Sequence, residues 1–442
     1  MLNTINDLLW GPGTLALLLG TGLFLTIRMR FLPWRRLGYA LRSALGRDAR
    51  QVKGGGVSPF AALMTTLAAT IGTGNIVGVA TALVAGGPGA LIWMEVSALV
   101  GMATIFAESM LSVKYRRKNC RGEWIGGPMY VMETAFGKRM GRRLGCLFAF
   151  FAVGASLGIG SMTQANAITG ALSSSFNLPV WPVGLVTAIL AFVVILGGIH
   201  SISKITSILV PVMSLFYMGA GIAVILGNLE NLIPGILAIF RCAFSPQAIA
   251  GGAAGAALRW GVARGVFSNE AGLGSTGIAA ASADTNSPVR QGYINMTGAF
   301  FDTIVICTVT GLAICCSGVL GTVDSTGNPV DGAALTILAF ETVLGPLGTR
   351  FISLSIVLFA FSTILGWEYQ GEQAFSYLSK GRGTLGYRFL YGLAALWGAG
   401  QQVDTVYLFS DLCNALMCMP NLMCVLLMSG EVVREMRNHK NV

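Results

Sequence analysis

Apolar residues in this chain come in long uninterrupted runs, and the charged residues punctuate them. Residues 8–27 contain no Asp, Glu, Lys or Arg, and neither do 54–94, 144–203 or 205–229. A bilayer core needs about 20 apolar residues per helix, so 8–27 and 205–229 each predict one crossing. Residues 54–94 predict two, hinged at the Gly-Gly-Pro-Gly sequence of 86–89, and the second continues through Glu95 and Glu108 to about Val113. The run 144–203 is long enough to fold back once, near Asn177-Leu-Pro179. Further spans are predicted at 246–284, 291–320, 346–379, 384–400 and 403–430, which gives eleven helices. Composition agrees: of 442 residues 54% are hydrophobic and 11% charged, the mean hydropathy is +0.70, and a soluble domain carries about 25% charged residues. The expected class is an all-α polytopic membrane protein whose partner is the lipid bilayer. No positively charged leader with a cleavage site precedes the first run, so that run is expected to stay in the mature chain.

The net charge of +10 reads as topology. Of the 29 Lys and Arg residues, 25 lie in 28–53, 114–143, 380–388 and 434–440 or at Lys204 and Arg290, all on one side of an eleven-helix chain. The opposite side has Arg241 and Arg350, while Arg259 and Arg264 fall inside a span. Basic loops stay in the cytoplasm. The chain is therefore expected in the cell membrane (the inner one where there are two), with its N-terminus outside and its C-terminus cytoplasmic. The same bias argues against a nucleic-acid partner.

Two of the predicted helices are interrupted. The second contains Ala69-Thr-Ile-Gly-Thr-Gly-Asn75, a run of poor helix formers at membrane depth. The span 246–284 holds Arg259-Trp-Gly-Val-Ala-Arg-Gly-Val-Phe-Ser-Asn-Glu-Ala-Gly-Leu-Gly-Ser275, with three charges that cannot face lipid. Unwound backbone at that depth must line a cavity. The two interruptions lie five crossings apart, in helices that run in opposite directions. This is the pattern of two inverted five-helix repeats behind one extra helix, and paired broken helices of this kind point to a transporter's binding site.

These motifs resemble the alanine or glycine:cation symporter family, of the amino acid-polyamine-organocation superfamily. The likeness rests on Ala69-Thr-Ile-Gly-Thr-Gly-Asn-Ile-Val-Gly-Val-Ala80 with Gly86-Gly-Pro-Gly89, on Gly101-Met-Ala-Thr with Phe106-Ala-Glu108, and on Arg264-Gly-Val-Phe-Ser-Asn-Glu-Ala-Gly-Leu-Gly-Ser275. Gly126-Gly-Pro-Met-Tyr130, Gly366-Trp367 and Gly371-Glu372 add to it. Two positions depart from the family pattern: Thr276-Gly277 stands in place of Ala-Pro, and Glu368 in place of a small polar residue. The resemblance implies the leucine-transporter fold, a 5+5 inverted repeat with one extra N-terminal helix. Residues 1–53 would form that helix and a basic cytoplasmic loop, 54–229 core helices one to five, 230–430 core helices six to ten, and 431–442 a cytoplasmic tail.

The implied activity is sodium-coupled import of a small neutral amino acid, alanine or glycine, by alternating access. A glutamine or serine carrier, proton-coupled or not, and an ion channel are the alternatives. For the substrate, the break in core helix one offers the Thr73 and Gly74 N–H groups at the positive end of a half-helix. Trp260, Gly261 and Val262 are expected around the break of core helix six, and Gln164 can donate and accept at once. For sodium, similarity to the fold assigns the Ser362 and Thr363 hydroxyls with the carbonyls of Ala68, Ile71 and Phe359. Asn75, Arg264, Glu270 and Trp367 are structural or gating candidates, with Glu270 expected to pair with Arg264 or Arg259. The chain contains no Gly-x4-Gly-Lys-Ser/Thr loop, and Gly72-Thr-Gly-Asn-Ile-Val-Gly78 misses the dinucleotide spacing by one residue. No organic cofactor and no enzymatic activity are therefore expected; Na+ is the coupling ion. With Asn3→Cys and Asn438→Cys variants, a membrane-impermeant thiol reagent is expected to label the first in intact cells and not the second; the reverse pattern would remove the eleven-helix topology.

Overall fold

The computed structural model describes residues 9–52, 54–120, 122–244, 253–401 and 403–439. The first eight residues of the chain and the start of the interrupted span, 246–252, lie outside the described residues. Helices occupy the predicted positions: α1 (Pro12–Arg28), the bent pair α2 (Pro59–Thr70) and α3 (Gly74–Gly86), α4 (Ala90–Lys114), α5 (Gly137–Phe176), α6 (Val180–Leu196) and α7 (Gly198–Gly227). The second series is the broken pair α8 (Ala253–Asn269) and α9 (Ser275–Ala281), then α10 (Pro288–Ser317), α11 (Pro346–Ser379), α12 (Thr384–Gly398) and α13 (Val403–Leu427). Each series of five begins with an interrupted helix, the first broken near its middle and the second nearer its end, with 17 described residues before the break and 7 after it. Among the described residues six helices are long and apolar enough to cross a bilayer, and the pair α2–α3, bent by 53°, makes a seventh. Helices α1 and α6 are apolar but shorter, at 17 residues each.

Local sequence sets the joints. The predicted fold-back falls where Asn177 takes a left-handed φ of 53° and Pro179 caps α6. The 86–89 turn uses Gly87 at φ 72°. Small residues let the helices approach closely, as in other membrane bundles. A Cβ on Gly366 of α11 would lie 2.5–2.9 Å from the Ala69 backbone and Cβ, and Gly160 of α5 lies directly beneath Trp367.

The ends that carry the basic loops are tied together. Val57, just before α2, pairs with Ala283, just after α9. The Arg116 guanidinium donates to the carbonyls of Ala281 (3.1 Å), Ala283 and Thr285 (2.6 Å) and stacks on Trp124. Burial pulls its pKa down to about 10, against the opposing pull of Asp284, so it stays charged at neutral pH. Lys114 pairs with Glu431 and Glu435 of the terminal helix Ser429–His439. At the other end Trp10 donates to the Asp411 carbonyl at 3.1 Å. There the connecting helix Gly332–Leu344 caps α3 through Thr336, which donates to the Ile76 carbonyl at 3.1 Å.

Candidate substrate and ion site

The two helix breaks meet at the middle of the bundle. Helix α2 stops at Thr70, Ile71 leaves helical geometry at ψ 94°, and the chain resumes as α3 at Gly74. A helix end leaves its last carbonyls and first N–H groups without intrahelical partners. Asn75 satisfies one of these, accepting the Gly72 N–H at 2.9 Å. The Thr73 and Gly74 N–H groups remain at the positive end of α3, beside a cavity of about 20 Å³ that both residues line. Gln164 lines it too; its Oε1 accepts from the Thr73 hydroxyl at 3.3 Å, and its Nε2 donates to the Ile159 carbonyl at 3.0 Å. A π-bulge at Ser156–Met162 precedes Gln164. Such bulges recur at functional sites because they turn side chains off the regular helical path.

The opposite wall corrects one expectation. Helix α8 runs unbroken through Trp260, Gly261 and Val262, and the interruption comes later, at 270–274, where Glu270, Gly272 and Gly274 take φ of 57°, 93° and 82°. The charges that suggested an earlier break do not need one. Arg259 and Arg264 lie along a separate pocket of about 120 Å³ with Trp10, Trp260 and Asp411, at the end of the bundle away from the basic loops. Gly261 packs on the Ala90 carbonyl and Trp93, and Val262 is buried. Phe267 lines both this pocket and the central cavity, and so forms the partition between them.

A second correction concerns Glu270. Its carboxylate accepts from the Ser275 hydroxyl across the break, whereas Arg264 sits over Trp260 (5.4 Å) and Phe267 (5.6 Å) and acts electrostatically on Asp411. Glu270 lines the central cavity together with Trp367. The cavity therefore lies between the positive end of α3 and the negative, carbonyl end of α8, whose polarity the Glu270 carboxylate reinforces.

Beside the cavity the five expected oxygens converge. Ser362 Oγ lies 3.4 Å from the Ala68 and Ile71 carbonyls and 2.8 Å from that of Phe359. Thr363 Oγ1 lies 3.5 Å from the Ile71 carbonyl and 3.0 Å from that of Phe359. The contacts across helices are the long ones. A small cation inserted between α2 and α11 would replace three weak hydrogen bonds by coordination from neutral oxygens, the ligand type that suits hard cations. Gly72 keeps the place open, because a Cβ there would overlap the Thr363 hydroxyl.

Two residues escaped sequence reading. Asp302, in a π-bulge of α10 (Phe300–Cys307), accepts from Asn75 Nδ2, Ser268 Oγ and Thr303 Oγ1, each at 2.8 Å. It thus joins both broken helices through Asn75 and Ser268. Asn414 of α13 lines the central cavity with its side-chain oxygen buried and without a partner among the described residues. Its signal was a polar residue at membrane depth inside Asp411-Leu-Cys-Asn414.

A model of the sodium:alanine symporter family matches residues 1–442. The chain belongs to that family. A sodium/alanine symporter of Methanococcus maripaludis, AgcS, is 47% identical over 439 residues, covering 98% of this chain and 96% of its own. A probable sodium/glutamine symporter of Bacillus subtilis, GlnT, is 37% identical over 441 residues, covering 98% and 89%. Among solved structures, MhsT in complex with L-phenylalanine superposes with a TM-score of 0.61 at 15% identity, over 85% of this chain and 90% of that one. At that identity the likeness is one of fold, and the fold is that of the leucine transporter.

Membership gives the cavity geometry a direct test at Gly74. A Cβ added there would make ordinary contacts at 3.7 Å with Phe267 and Ser268, so Gly74→Ala should fold and still bind amino acid. In Gly74→Leu the extra carbons enter a cavity that holds about one water molecule. Binding of labelled alanine to the purified protein should be lost while its thermal unfolding temperature stays close to that of the parent. Unchanged affinity in Gly74→Leu would place the carboxylate elsewhere.

Proposed function

We propose that the chain is a sodium-coupled symporter that imports a small neutral amino acid, alanine or glycine, by alternating access. The observation that carries this reading is the closed cavity of about 20 Å³ between two helix ends of opposite polarity, beside five converging oxygens. A zwitterion matches the polarity of such a pair of ends, and a cavity with room for about one water molecule has to widen to admit it. Its carboxylate takes the Thr73 and Gly74 N–H groups and the Thr73–Gln164 pair. Its ammonium takes the unpartnered oxygen of Asn414, the end of α8 and the Glu270 carboxylate. Phe267 and Trp367 leave little room for a long side chain, which favours alanine or glycine over glutamine. Trp260, Arg259 and Arg264 belong to the approach from outside, with Phe267 as the partition that moves.

Sodium is cargo in this reading, held by the carbonyls of Ala68, Ile71 and Phe359 and the hydroxyls of Ser362 and Thr363. The N-terminus lies outside the cell membrane and the basic loops in the cytoplasm, with eleven crossings: one in residues 1–53 and five in each of the repeats 54–229 and 230–430. Each positive charge moved inward then gains about 2.3 kcal/mol per 100 mV of membrane potential.

Uptake of radiolabelled alanine into proteoliposomes tests the function. It should saturate, require an inward sodium gradient, and be competed by glycine but not by glutamine. Competition by glutamine would favour the glutamine-carrier reading, and uptake proportional to concentration without saturation would favour a channel. The ion site has its own test. A hydrogen-bond-like contact to a charge contributes about 1.5–3 kcal/mol, so Thr363→Ala should raise the sodium concentration for half-maximal uptake about ten- to a hundredfold. Linkage requires the same variant to weaken apparent alanine affinity at low sodium and largely recover it at high sodium. Thr363→Ser, which keeps the oxygen, should be mild, and an unchanged sodium dependence in Thr363→Ala would reduce the hydroxyl to a packing group.

A further inference from the structure

Five acidic side chains within the bundle accept hydrogen bonds. Glu95 accepts from Thr308, Glu108 from Thr276 and Asn421, Glu270 from Ser275, and Asp302 from Asn75, Ser268 and Thr303. Glu372 accepts from Arg388 in a bidentate pair at 2.7 and 2.9 Å. Glu368 differs from all of them. It is fully buried in α11, and neither of its carboxyl oxygens has a hydrogen-bond partner among the described residues.

The positive charge nearest to it, Arg388, is committed to another acid. On its own helix the facing group is Glu372, one turn further on, another acid. Helix α12 presents Arg388, Tyr387 and Tyr391. Arg388 is committed to Glu372 through Nε and Nη2 and to the Leu196 carbonyl through Nη1. The Tyr387 hydroxyl is paired with Ser156 of the α5 bulge at 2.6 Å, and the Tyr391 hydroxyl donates to the Ile364 carbonyl at 2.9 Å. Helices α2, α6 and α9, which pack on the same helix, contain no titratable residue. The basic residues of α5 lie in its first two turns, at 138–143. On α7, His200 and Lys204 are exposed and Tyr217 lies against Phe359, more than two turns away, while Glu341 of the helix Gly332–Leu344 accepts from Thr349 near the start of α11. Beyond Trp367, the acid lining the central cavity is Glu270. A carboxylate without a counter-charge or a donor does not stay ionised in such a place; it takes a proton instead. The position matters as well. Trp367, the adjacent residue, lines the central cavity, and the Glu372–Arg388 pair leads towards the basic end of the bundle, so Glu368 stands between the cavity and the face that opens for release.

We propose that Glu368 is a proton-binding site that gates the cytoplasmic half of the transport cycle. With the cavity closed, its carboxyl carries a proton. When α11 parts from α5 and α12 and water enters from the basic face, the O–H bond breaks and the proton passes to that water. Closing again requires one proton from the same side. The proton returns to the compartment it came from, so it regulates the cycle and is not cargo.

The uptake arm of the test rests on the alanine reading above, and the spectroscopic arm does not. Proteoliposomes are prepared at a series of internal pH values with the outside pH fixed, and sodium-driven alanine uptake is measured. In the parent protein uptake should fall about tenfold per pH unit once internal pH exceeds the titration point of the site. In Glu368→Gln, which mimics the protonated form, uptake should be flat over the same range. An internal pH dye should report no net proton entry with alanine. Infrared spectra of the solubilised protein should show a carboxylic-acid C=O band that disappears in Glu368→Gln, with Glu368→Met as a second variant should the first fail to fold. Three results overturn the proposal: a pH profile shared by parent and Glu368→Gln, a proton entering with each alanine, or no infrared band assignable to Glu368.

Discussion

A helix broken inside a bilayer exposes backbone groups that water cannot reach, so something in the protein must hold them. Asp302 is the centre of that holding. Through Asn75 it fixes the start of α3, because the same asparagine accepts the Gly72 N–H and donates to the Asp302 carboxylate and carbonyl. Through Ser268 it fixes the last turn of α8. One buried carboxylate thereby sets the distance between the two half-helix ends that face the cavity. Its own desolvation is offset by three donors, a condition a buried charge must meet to be tolerated. The π-bulge of α10 supplies the geometry, since the extra residue in the turn carries Asp302 and Thr303 to the same side as the breaks.

With the ends held, close helix approach does the rest. Gly366 lets α11 lie against α2 at the level of Ala69, and this contact brings Ser362 and Thr363 to the carbonyls that the end of α2 leaves open. Gly72 admits the Thr363 hydroxyl, and Gly160 admits Trp367 over the π-bulge of α5. These glycines lie beside backbone, aromatic rings or hydroxyls at distances no Cβ can share. Their packing and the polar site are therefore one construction.

The helix positions and the paired breaks were legible in the sequence because each rests on local chemistry, whereas the role of the oxygen cluster came from the likeness of fold, with two adjacent hydroxyls as its local signal. Charge-free runs give lengths, glycines beside a threonine and an asparagine mark a break, and adjacent hydroxyls in Phe359-Ala-Phe-Ser-Thr363 stand out against an apolar background. The second break was read about ten residues early. Two arginines looked incompatible with a continuous membrane helix, yet both line a polar pocket, where the Arg264 guanidinium lies over the rings of Trp260 and Phe267. The better signal was Glu270-Ala-Gly-Leu-Gly274, whose two glycines suit left-handed backbone. Glu270 itself adopts that conformation without being glycine, held by the Ser275 hydroxyl on its carboxylate. Asp302 and Asn414 were illegible for a different reason. Each gains its meaning from partners more than a hundred residues away, or from a cavity that exists once five helices have assembled.

With the ion and the amino acid bound where we propose, coupling between them needs no long pathway. Ile71 presents its carbonyl to the Ser362 and Thr363 hydroxyls on one side of the break. Two residues on, Thr73 presents its N–H and hydroxyl to the cavity on the other. The peptide units between them are shared by both sites. A cation drawing the Ile71 carbonyl towards α11 narrows the range of orientations open to Gly72 and Thr73, and so orders the donors for a carboxylate before it arrives. An amino acid that fixes those donors equally fixes the carbonyl for the cation, as reciprocity of coupling free energies demands. The physical basis of symport in this geometry is three consecutive residues that cannot be ordered for one ligand without being ordered for the other.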